Sequence, residues 1–131
     1  MTLSGFDEGV FKDLMTALLA VNSWSLERAY SVVQQFATVG LTDPAEVSRM
    51  DASAVAERLQ EAGYQRGHYI TLLIATRVLH AALALATDGF ERIGRHEAAG
   101  DIANVKAFLL SIHGVGPQVV RTFLALRRQD T

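Results

Sequence analysis

Leu109-Leu110-Ser111-Ile112-His113-Gly114-Val115-Gly116-Pro117-Gln118-Val119-Val120-Arg121-Thr122-Phe123-Leu124 is the stretch that decides how this chain is read. Apolar residues recur at helical spacing up to Ile112, a short turn with two glycines comes next, and Pro117 opens a second apolar-periodic run. Gly114 and Gly116 allow positive φ and let a ligand approach without meeting a Cβ. Gly116 suits a helix cap, and Pro117 suits the first helical position, where a missing N–H costs nothing. The N–H groups of Gly114, Gly116 and Val119 are then candidates to hold one phosphate, assisted by the helix dipole. Ile112 and Val115 tether the turn to the core. An ordinary helical corner with no ligand is the competing reading.

Upstream, the chain reads as helical throughout. Phe6, Val10, Phe11, Leu14, Met15, Leu18 and Leu19 make Asp7 to about Val21 an amphipathic helix. A second runs from about Ser25 through Phe36, with Leu26, Ala29, Tyr30, Val33 and Phe36 facing inward. Asp43-Pro44-Ala45-Glu46 is a helix start: Asp43 caps, Pro44 fits the first turn and Glu46 takes the capping-box position. Asp51 starts another helix, closed by Ala62-Gly63. The longest begins near Gln65 or Gly67 and ends by Ala86, apolar nearly all round except at Arg77 and His80, so it belongs at the centre of a bundle. Gly89, Gly94 and Gly100 are expected to break up the segment after that helix. Asp101 then caps a helix reaching Ser111, and the last helix runs from Pro117 to about Arg128. The expectation is all-α: a compact six- to seven-helix orthogonal bundle in one domain, 1–131.

At 131 residues, with 50% hydrophobic and 20% charged side chains, the chain is long enough for one real core and too short for two full lobes. The absence of cysteine excludes disulfides, iron–sulfur clusters and thiolate zinc sites. No apolar run reaches the ~18 residues of a membrane span. The acidic N-terminus lacks an export signal, so a cytoplasmic protein without membrane attachment is expected. The net charge of −2 argues against wrapping long stretches of DNA. Charge is unevenly spread, however: residues 1–65 carry nine acidic and four basic side chains, residues 66–131 five acidic and eight basic. That asymmetry fits either ordinary solvated faces or a basic face built around the C-terminal turn.

The 101–128 segment resembles the helix-hairpin-helix of the DNA glycosylase superfamily, endonuclease III-like, on Leu109, Ile112, Gly114, Val115, Gly116, Val120 and Leu124, with His113 where the family has a proline. Leu14-Met15-Thr16-Ala17-Leu18-Leu19 is similar to that family's first barrel helix, and Ala62-Gly63-Tyr64-Gln65-Arg66 to the turn into its long central helix. The resemblance implies a six-helix barrel lobe that binds double-stranded DNA through the amides of Gly114, Gly116 and Val119, with Val115, Gln118 and Arg121 beside them and Arg127 and Arg128 supplementing. It also implies a monovalent cation, Na or K, on the carbonyls of Leu110, Ile112 and Val115. Asn22 is a loose stand-in for the family's base-gap glutamine.

The departures from that family are chemical. Lysine-bearing members use a lysine two residues after the second glycine as a Schiff-base nucleophile; here that residue is Gln118, whose amide is not nucleophilic. The aspartate of monofunctional members would fall at position 136, beyond Thr131, and Asp130 does not take its place. Elsewhere, Trp24 in a loop suits a core anchor better than a base-stacking platform. The histidines 68, 80, 96 and 113 have no metal-ligand spacing. Arg77 and His80 suit either a small polar cleft or internal hydrogen bonds. Asp88 and Glu91 read as a solvated loop. Three functions stay open: a DNA-binding protein without standard base excision, a minimal glycosylase with an atypical or partner-supplied carboxylate, and a helical module that pairs through an exposed barrel face as a homodimer or with another protein.

Overall fold

The computed structural model describes residues 8–21 and 25–129, and among them every regular element is helical. Helix α1 (Glu8–Leu19) leads to α2 (Leu26–Gln34), two single-turn helices α3 (Phe36–Val39) and α4 (Pro44–Val47), and α5 (Ala52–Glu61). Helices α6 (His68–Ala84) and α7 (Phe90–Ala98) come next, then α8 (Ile102–Leu110) and α9 (Pro117–Gln129). Seven of these span nine residues or more, and they form an all-α bundle around a single hydrophobic core; the helix expected after Asp43 is a single turn, and α7 lies where glycines were expected to break the chain.

Local chemistry sets the boundaries. Ser25, Asp43, Asp51 and Asp101 each accept a backbone N–H of the first turn they cap, from Arg28, Ala45, Ala54 and Asn104. Such caps contribute about 1 kcal/mol each by satisfying donors the helix leaves bare. Gly63 (φ 104°) turns the chain out of α5, and Gly67 (φ 86°) stands at the start of α6. The linker between them is pinned by Tyr64, fully buried, whose hydroxyl donates to the Leu19 carbonyl at 3.3 Å.

Two expectations fail. Helix α2 buries Ala29, Val32 and Val33, while Leu26 and Tyr30 are exposed. The stripe continues to Phe36 at i, i+3, i+4, i+7 spacing, and Tyr30 lies about 100° round from it. Leu26 and Tyr30 instead border a groove with Asp13, Thr16 and Leu126.

The second failure is at the glycines. Gly89 and Gly94 do not break the chain, because α6 passes through a π-helical turn, Leu85–Gly89, straight into α7. A Cβ at Gly89 would stand 2.8 Å from the Ala84 carbonyl oxygen and 3.0 Å from Phe108 Cζ. This glycine therefore serves close packing of α8 against the wide turn, not chain reversal. Arg92 seals the contact, its guanidinium carbon 5.3 Å from the centre of the Phe108 ring.

The resulting helix, 68–98, is long and apolar enough in length and composition to cross a membrane, although core helices pass the same test. It is central on one face only. Thr71, Ile74, Ala75, Val78, Ala81 and Ala82 are buried, whereas Tyr69 (79% exposed), Leu73 and Leu83 (55% exposed) share a stripe that the bundle leaves open.

Candidate nucleic-acid interface

The corner between α8 and α9 is built by two anchors and one glycine. Ile112 and Val115 are buried, each worth about 1.5–3 kcal/mol of apolar burial. The Val115 N–H closes the turn on the Ile112 carbonyl at 3.0 Å. Gly114 takes φ +91°, which an L side chain rarely adopts, and packs onto α6 so closely that a Cβ there would meet Arg77 Cγ at 2.7 Å. Gly116 differs from the sequence expectation: it has no positive φ, and a Cβ there would meet nothing within 4 Å. Its carbonyl accepts the Val120 N–H at 3.1 Å, which makes it the residue from which α9 starts.

Beyond the turn, α9 is held rigidly. Val119, Val120, Phe123 and Leu124 are buried against the core. At its far end Arg127, 22% exposed in its side chain, makes a bidentate pair with Glu97 of α7 (Nε to Oε2 2.9 Å, Nη2 to Oε1 3.1 Å). The same guanidinium donates through Nη1 to Asp13 of α1 at 3.0 Å. The Glu97 hydrogen bonds in the first place, and those of Asp13, hold Arg127 protonated at any accessible pH despite its partial burial. Arg127, expected from the sequence to supplement DNA contacts, is engaged within the bundle. Two carboxylates occupy its fork, and its work is to clamp three helices.

The N-terminal end of α9 opens on a cavity of about 390 Å³, lined by Val21, Arg77 and the 114–119 segment. Five residues singled out from the sequence, Gly114, Val115, Gly116, Gln118 and Val119, come together here. Among the described residues no acceptor meets the N–H groups of Gly114, Gly116, Gln118 or Val119, as expected at the start of a helix. Gln118 and Arg121 are exposed and lie one turn apart on the same side of α9. The carbonyls of Leu110, Ile112 and Val115 sit at the end of α8 and in the turn, and that of Ile112 already accepts the Val115 N–H. Asn22, Trp24 and Asp130 lie outside the described residues, as does the Arg128 side chain.

Arg77 is the residue the sequence reading underweights. Three residues before His80 on a largely apolar helix, it suits an internal hydrogen bond equally well. The structure instead lays its stem beneath Gly114 and brings its side chain to the cavity, with no hydrogen-bond or ion-pair partner among the described residues. Its charge also reaches Tyr64, whose phenol is nevertheless pushed above the ordinary tyrosine range by burial, against the opposing hydrogen bond from Arg66 and the charges of Arg66 and Arg77. Arg66 donates to the Val21 carbonyl at 2.8 Å, on the wall of the same cavity. No carboxylate lines the cavity among the described residues.

The chain matches no family model, no curated protein and no solved structure. Backbone donors with no acceptor among the described residues and the positive end of a 13-residue helix meet the Arg77 side chain at one space, a combination whose chemistry suits an anion. The exposed amide of Gln118 can add a neutral hydrogen bond but no nucleophile.

Proposed function

We propose that this protein binds double-stranded DNA by seating one backbone phosphate at the α8–α9 corner, in the manner of a helix-hairpin-helix, and that it performs no standard base excision. The observation that carries the reading is the cavity at the start of α9, where Arg77 and the 114–119 segment offer positive charge and N–H donors that, among the described residues, meet neither an acceptor nor a carboxylate. Gln118 in the position of a nucleophilic lysine supports a grip without chemistry. Contacts of this kind position a duplex and read shape, not base edges.

Electrostatics set the size of the effect. With Arg77 and Arg121 as the two cationic contacts, counterion release gives a log–log salt slope near −2, hence about a tenfold affinity loss between about 50 and 200 mM salt. Fluorescence anisotropy on plain, abasic and mismatched duplexes tests this. Arg121→Glu and Arg77→Gln are each expected to weaken binding to all duplexes alike. Absence of binding at low salt, or binding indifferent to salt and to both variants, would overturn the proposal.

A second reading is favoured by the open stripe on α6. Tyr69, Leu73 and Leu83 present apolar surface that a second copy or another protein would bury. Light scattering on the protein and on Tyr69→Lys/Leu83→Lys decides it: an assembly that the double variant dissolves supports this reading, and a monomer at high concentration removes it.

A further inference from the structure

Beside the cavity, two imidazoles from distant parts of the chain meet. His80 of α6 and His113 of the α8–α9 turn have ring centres 4.9 Å apart and planes at 85°. His80 Nδ1 is buried and has no hydrogen-bond partner, a state that calls for a missing group. No carboxylate is paired with either ring among the described residues, so neither is held in place by an ion pair. Both backbones are fixed. His80 stands mid-helix, and His113 adjoins Gly114, which is wedged on Arg77.

We propose that His80 and His113 are the protein ligands of an open site for a borderline divalent ion of the zinc, nickel or copper class. An imidazole nitrogen lies about 2.0–2.1 Å from such an ion, so its ring centre is roughly 3.2 Å away, and two ligands at roughly 90–110° place their ring centres about 4.5–5.2 Å apart. The observed 4.9 Å falls within that interval. Imidazole selects these ions over magnesium and calcium, which prefer oxygen. No group of three ligating side chains exists among the described residues, so the remaining positions belong to water or to an anion. The neighbouring Arg77 opposes a second positive charge and favours an anion as the completing ligand.

The test uses the tag-free full chain, stripped with chelator, and no nucleic acid, so its outcome is independent of the DNA reading. Zinc chloride is titrated while the four imidazole signals are followed by NMR, with calorimetry giving the stoichiometry. The expected result is one equivalent bound, with the His80 and His113 signals moving together and those of His68 and His96 still. His113→Gln, at an exposed position, should keep the melting temperature and lose at least tenfold in zinc affinity; His80→Gln should lose as much. Magnesium chloride should move nothing. Zinc that shifts no imidazole, that shifts all four equally, or that binds His113→Gln as tightly as the natural chain overturns the proposal.

Discussion

Gly114 and Gly116 look equivalent in the sequence, and replacing each by alanine separates what they do. At Gly114 the φ of +91° costs an L residue about 1–2 kcal/mol. The new Cβ also falls 2.7 Å from Arg77 Cγ and 3.3 Å from Arg77 Cβ. Those atoms belong to the root of the side chain on a packed helix, so they cannot swing aside, and such overpacking costs about 1–3 kcal/mol. The two together, about 2–5 kcal/mol, convert through an unfolding entropy of about 2.1 cal/mol/K per residue into a fall of roughly 7–18 °C in melting temperature. At Gly116 neither term exists. Alanine loses about 0.5 kcal/mol as a helix cap and regains a similar amount from a less flexible unfolded chain, so the shift should stay within about 2 °C. Thermal unfolding followed by circular dichroism measures both. A methyl at Gly116 stands in open space beside the proposed phosphate seat, so on that proposal Gly116→Ala should lose DNA affinity while keeping its stability. Equal melting shifts in the two variants, or a Gly114→Ala protein as stable as the natural one, would refute the geometry assigned to the corner.

The same structure yields further expectations. Arg127→Met removes a hydrogen-bonded cation from two part-buried carboxylates, Asp13 and Glu97, and should cost about 1–3 kcal/mol, less than a fully buried pair because the site is partly solvated. Urea denaturation measures it, Arg127→Lys should rescue little because it lacks the fork, and a change under about 0.5 kcal/mol would contradict the clamp. Asp101 is held below the ordinary carboxylate range by the Asn104 side chain and then by the Asn104 backbone N–H. Its capping contribution is therefore present above the unfolded aspartate value near 3.8 and lost as pH falls through the lower folded value. A carboxyl-carbon NMR titration should place the Asp101 midpoint below that of an unstructured aspartate, with the Asn104 amide shifting in step; a midpoint at or above it would mean that the cap does not hold.

Much of the fold was legible because its signals are local. Helix starts at Asp43, Asp51 and Asp101 depend on one side chain reaching an N–H two or three residues ahead, a relation visible in any window of sequence. What escaped depends on neighbours distant in the chain. Gly89 reads as a breaker until Phe108 is found against it. Arg127 reads as one more basic residue near a basic turn until Asp13, more than a hundred residues earlier, closes on it.

Sequence alone was enough for the class of the fold, the places where most helices begin, and the corner where two glycines and a proline join α8 to α9. Periodicity and capping suffice for those, since both act within a few residues. Three-dimensional packing was needed to decide which of the two glycines is strained, that Arg77 faces the start of α9, that Arg127 is spent on the bundle, and that His80 and His113 meet. Each of those depends on which residues 30 or more positions apart in sequence are brought within a few ångströms, and no local pattern encodes that distance.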